Sequence, residues 1–81
     1  MKLIILKKRE KIHEFSGIDN TPGGMLLQLE KALIKKETLA VESTHQGLHV
    51  FPYKVYSKYT FIMKEEIEYE TSNMDKGEKS A

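Results

Sequence analysis

The chain contains neither cysteine nor tryptophan. The first absence excludes disulfides and cysteine-ligated zinc, the two staples on which many small domains depend. Proline is scarce, with two residues. Long apolar runs are missing: the longest, Leu3-Ile4-Ile5-Leu6, falls far short of the ~20 residues needed to span a bilayer. The opening, Met1-Lys2, then four apolar residues, then Lys7-Lys8-Arg9, has too short an apolar part for a signal peptide, so a cytoplasmic location without membrane contact is expected. An excess of one charge is also lacking. Thirteen Lys and Arg against twelve Asp and Glu leave +1, which argues against strong nonspecific nucleic-acid binding. Phosphate-loop, HExxH, GxSxG and EF-hand patterns are absent. No constellation of nucleophile and base stands out, so no enzyme activity and no cofactor are expected.

What is present is 81 residues, 40% of them hydrophobic. That length allows one small domain, read as residues 1–70. Residues 71–81 carry almost no core material and read as a disordered tail. A chain this size hides only about 60–65% of its unfolded surface on folding. With no staple, self-association is the natural way to bury more.

Residues 2–9 read as a strand that is apolar on both faces, which is usually central or covered on its second face. Residues 11–16 are a weaker strand, because Ile12 and Phe15 break alternation and point to a bulge or an irregular edge. Residues 17–24 hold three glycines and Pro22 and form a loop. Thr21-Pro22 fits a helix N-cap followed by proline in the first turn, but Gly23 and Gly24 shift the expected helix start towards Met25. Residues 25–36 are the one long helix, with Met25, Leu26, Leu29, Ala32 and Leu33 in one arc. Leu27 and Ile34 lie almost opposite that arc and have no use within one copy.

Residues 38–43 and 48–51 read as a hairpin, with Leu39, Val41, Leu48 and Val50 inward and Gly47 in the turn. Pro52 ends the ladder, and Tyr53–Lys58 make a helical turn or a bend. Residues 59–69 read as a long last strand, with Tyr59, Phe61 and Met63 on one face and Thr60, Ile62 and Lys64 on the other. The predicted fold is therefore α+β, order β(β)αβββ, a mainly antiparallel sheet of four or five strands with one helix on a face.

The weak net charge conceals segregation. Residues 2–11 hold five cations against Glu10, and residues 65–70 hold four glutamates. Cross-strand pairing of the two segments is the simplest expectation. The alternative is a basic surface for phosphate, nucleotide or nucleic acid, built from Lys7, Lys8, Arg9, Lys11, Lys54 and Lys58.

Phe51, Tyr53, Tyr56 and Tyr59 interleave with Lys54 and Lys58. That mixture suits ordinary sheet packing, a protein interface or base stacking. His45 and His49 lie four apart across the turn. Two solvent-facing imidazoles are the simpler reading, because a metal site needs further convergent ligands, and no metal is expected. The glycine loop before the helix reads as a connector rather than an anion site.

In habit the whole chain is rich in Lys, Glu and Ile and free of cysteine, with a short ββαβββ plan. In this it resembles the small accessory proteins of phages and mobile elements of Gram-positive bacteria. The resemblance implies binding and inhibiting a host macromolecule, or sequestering a ligand, without chemistry. The leading expectation is a homo-oligomeric protein-interaction module that also engages a protein partner. Its candidate interface comprises Leu27, Ile34, Phe51, Tyr53, Tyr56 and Tyr59. Nucleic-acid or nucleotide binding is the second expectation, and capture of a small ligand in a pocket between subunits near the glycine loop the third.

Overall fold

A computed structural model describes residues 1–66. The expected continuation of the last strand through Ile67 and Tyr69, and the expected tail over 71–81, lie outside the described residues.

β1 (Lys2–Lys7) and β2 (Glu10–Phe15) form an antiparallel hairpin. The expected first strand ends two residues early because Lys8 and Arg9 take φ values of 52° and 69°. Two consecutive residues at positive φ make the tight turn whose twist matches the flanking strands, a turn usually built from Asn-Gly. The register shifts between Ile5 and Leu6, which leaves Ile12 as the extra residue of a bulge, as its broken alternation predicts.

β5 (Thr60–Lys64) pairs antiparallel with the other side of β1, giving the order β2-β1-β5. The strand that is apolar on both faces is thus the central one. Leu3 and Ile5 are fully buried and stand opposite Phe15, Phe61 and Met63. Ile4 and Leu6 lie on the other face, across from Ile62 and Thr60.

α1 (Pro22–Lys35) starts three residues before Met25. Proline supplies a preset φ where no N–H is needed, and the Thr21 hydroxyl accepts from the Gly24 N–H at 3.0 Å. These two features offset the two glycines. The helix ends on Lys36 at φ 56°, with Glu37 N–H donating to Ala32 O and Lys36 N–H to Leu33 O. This is a Schellman closure made without the customary glycine. Met25, Leu29 and Ala32 are buried and Leu33 packs against them, whereas Leu26, from the same predicted arc, is half exposed.

β3 (Leu39–Ser43) and β4 (Gly47–Phe51) form a separate two-stranded sheet, so the predicted single sheet of four or five strands does not form. After Pro52 the short α2 (Tyr53–Tyr56) redirects the chain, and β5 joins β1 rather than β4. Between β2 and β4 stand aromatic side chains instead of ladder bonds. Phe15 packs edge-on to His49 at 4.8 Å, and His13 to Phe51 at 5.4 Å, between ring centroids.

The phase of β4 also differs from expectation. Leu48 and Val50 are 65% and 56% exposed, while His49 is half-buried and Phe51 buried. The register explains this: Leu39 faces Phe51 and Val41 faces His49, and opposed residues of an antiparallel pair share a face. With Leu39 and Val41 in the core, the aromatic pair must follow them. His49 is therefore not a solvent-facing imidazole; its Nε2 donates to Gln46 O at 3.0 Å.

Candidate interaction surfaces

The direction of β5 decides the charge map. Because β5 runs antiparallel to β1, its trailing acids emerge beside the start of β1, at the end remote from Lys7–Lys11. Glu66 accordingly accepts from Gly17 N–H at 2.9 Å and lies 3.5 Å from the Met1 ammonium. The Gly17 bond foremost, and then the ammonium, hold its carboxyl below the usual range against the opposing effect of burial. The expected pairing of residues 7–11 with the acidic segment is thus not made by Glu65 or Glu66, and residues 67–70 lie outside the described residues.

Lys11 instead pairs with Glu14 at 2.6 Å, and Lys2 joins the same carboxylate at 3.2 Å. Lys11 foremost, and then Lys2, lower the Glu14 carboxyl. Among the described residues no carboxylate lies within ion-pair distance of Lys7, Lys8 or Arg9.

The same topology gathers cations. The last β1–β5 pair is Leu6 with Thr60, so the Lys7-Lys8-Arg9 turn and the Lys58–Tyr59 segment leave the ladder at one end. α2, with Lys54, sits there too. The Tyr56 hydroxyl donates to Glu37 O at 2.6 Å, which ties α2 to the end of α1 that carries Lys35 and Lys36. Five of the six predicted phosphate contacts are brought to this basic end, and Lys11 is drawn away by Glu14.

The aromatic candidates are mostly consumed by the core. Phe51 and Tyr56 are 7% and 1% exposed, and Tyr53 and Tyr59 pack partly buried against the core, so Phe51 and Tyr56 offer no surface to a partner or a base. Burial, with Tyr53 and Glu37 nearby, raises the Tyr56 phenol above its ordinary value. Leu27 and Ile34 are 52% and 80% exposed on the outward side of α1. Ile12 and Ile62 add partly exposed apolar groups on the outer face of the three-stranded sheet.

The opposite end holds features that single-residue reading missed. Ser43, buried at the end of β3, is the hub of a polar clasp. Its hydroxyl accepts from His45 and Gln46 N–H, and its one proton has Ser16 O and Gln46 Oε1 within reach. Gln46 Oε1 also accepts from Ser16 N–H, and the Thr44 N–H and hydroxyl both donate to Gly17 O. Gly17 carries φ 69°, and a Cβ there would sit 2.9 Å from Thr44 Cβ, so this junction requires glycine. The sequence signal was a serine three residues ahead of a glutamine across a turn.

Beside the clasp a cleft of about 550 Å3 opens within one chain, between the Gly17–Asn20 loop, the start of α1 and the edge of β3. Among the described residues no three ligating side chains converge on a common metal position. No helix among them is long and apolar enough to cross a membrane. The chain matches no protein-family model, no curated protein and no solved structure.

Proposed function

We propose that the protein is a small non-enzymatic interaction module that associates with itself and with a macromolecular partner. The observation that carries this reading is Leu27 and Ile34: two large apolar side chains on the outward side of the only long helix among the described residues, 52% and 80% exposed. Single exposed apolar residues are ordinary, but a pair one face apart from the core-packing arc has no use in a monomer. Ile12 and Ile62 on the sheet's outer face extend the surplus. The resemblance in habit to phage accessory proteins supports a host macromolecule as the further partner. Sedimentation at micromolar concentration is expected to show an oligomer, and Leu27→Glu with Ile34→Glu to reduce it to monomers with an unchanged circular-dichroism spectrum. A wild-type chain that sediments as a monomer sinks the reading.

A second reading rests on the basic end. Lys7, Lys8 and Arg9 share that end with Lys54 and Lys58 rather than pairing with Glu65 or Glu66, which favours an anionic ligand such as a nucleic-acid backbone. Binding to a single-stranded oligonucleotide through three phosphate contacts would weaken about twentyfold between roughly 50 and 200 mM salt. Absence of binding at low salt removes this reading and leaves the first intact.

A further inference from the structure

We infer that the free edge of β3 is a strand-addition site for an extended peptide with basic residues at alternate positions. In an antiparallel strand, alternate residues aim both N–H and C=O at the partner, and the residues between aim both away. Ala40 O accepts from the Gln28 side chain, and Thr44 N–H donates to Gly17 O, so the even-numbered residues of β3 face away from β4. Glu42, between them, therefore presents its N–H and C=O to the cleft, and neither has a partner among the described residues. The single bond on this edge within β3, from Gln28 to Ala40 O, is long at 3.3 Å and comes from an exposed side chain. It is readily exchanged for a backbone donor.

The chemistry of the cleft defines the occupant. The side chains of Met25, Ile18 and Val41 are buried beneath the cleft, while the surface it exposes is more polar than apolar. Its exposed carboxylates are Asp19 and Glu42, and no Lys, Arg or His lines it. Side chains of an added strand alternate between floor and rim. The occupant that fits has an apolar residue facing Met25 and Val41, flanked by lysine or arginine residues facing Glu42 and Asp19. Backbone bonds supply the affinity and the alternating side chains the selectivity. The inference rests on the interaction-module reading but not on self-association, because the outward side of α1 takes no part in it.

The test uses the full chain and a labelled acetyl-Thr-Lys-Leu-Lys-Thr-amide. Saturable binding is expected, with protection of the Glu42 amide from hydrogen exchange. N-methylation of the two lysine amides, which alters only the peptide, should weaken binding about tenfold or more, as should Glu42→Lys. A peptide with glutamate in place of both lysines should bind no better than the methylated one. No binding at millimolar peptide, or binding indifferent to methylation, overturns the inference. Glu42 protection that is already present without peptide and grows with protein concentration overturns it in favour of a second copy's β3. Sedimentation of the same samples keeps the two readings apart: loss of peptide binding with the oligomer intact removes this inference alone.

Discussion

The two ends of the molecule solve the same backbone problem with different residues. At the clasp end, the positive-φ positions are Gly17 and Gly47; at the basic end they are Lys8, Arg9 and Lys36. A side chain with a Cβ in the left-handed region costs roughly 1–2 kcal/mol per residue. The clasp end cannot use such a residue at position 17, where Thr44 and His45 press against the space a Cβ would fill. The basic end has room and spends stability on charge. Cations thus stand at Lys8, Arg9 and Lys36, where glycine or asparagine would be easier.

This contrast can be broken most forcefully at the aromatic packing that closes the basic end. Tyr56→Ala is expected to cost about 3–5 kcal/mol, enough to unfold most of a domain this small in a thermal or urea melt. The buried phenol adds a pH signature. Its proton is held more tightly when folded, so its stabilisation is complete below the ordinary tyrosine value of 10.0 and is lost as pH rises through and beyond it. Tyr56→Phe should flatten that alkaline decline.

At the other end, Gly17→Ala combines a crowded Cβ with a positive φ, and about 2 kcal/mol of destabilisation is expected. Gly47→Ala, with positive φ but nothing near its Cβ, should cost about half as much. Equal costs would show that crowding at Thr44 is unimportant.

Exchanging the strained cations for the easier residues should act in the opposite sense. Lys8→Asn with Arg9→Gly is expected to stabilise the fold by about 1–2 kcal/mol, read from the denaturation midpoint, while abolishing any oligonucleotide binding. A gain in stability without loss of binding would detach the charge from function.

The smallest effect belongs to Glu66. Its folded carboxyl lies below the ordinary 4.5, held there first by Gly17 N–H. Its contribution is therefore present above that value and fades as pH falls below it. Glu66→Gln should cost about 1 kcal/mol at neutral pH and make the acid limb of the stability profile shallower.

Local patterns carried much of this fold. The alternation of Leu39 and Val41, of Phe61 and Met63, and the buried arc of α1 were legible because burial there follows the period of the element. The centrality of β1 was legible from its two apolar faces. The β1–β2 turn was not, since Lys-Arg stands where Asn-Gly would have announced it. The phase of β4 was misread because Leu48 and Val50 are the better apolar residues by type, while the register with Leu39 and Val41 turns His49 and Phe51 inward. Neither the division into two sheets nor the separation of Lys7–Arg9 from Glu65 and Glu66 was visible, because both depend on β5 crossing to β1. The cleft residues Asp19 and Glu42 gave no local signal at all.

That crossing has a further consequence for how the chain comes to be folded in a cell. Leu3 and Met63 are paired neighbours separated by about sixty residues. At typical rates of synthesis, roughly 3–12 s pass between the emergence of one strand and of the other. Through that interval the nascent chain carries its most apolar strand with one edge unpaired, a template for mispairing with any extended segment nearby. The β1–β2 hairpin, local and able to form early, leaves that edge open, so the yield of native protein depends on how quickly β5 arrives.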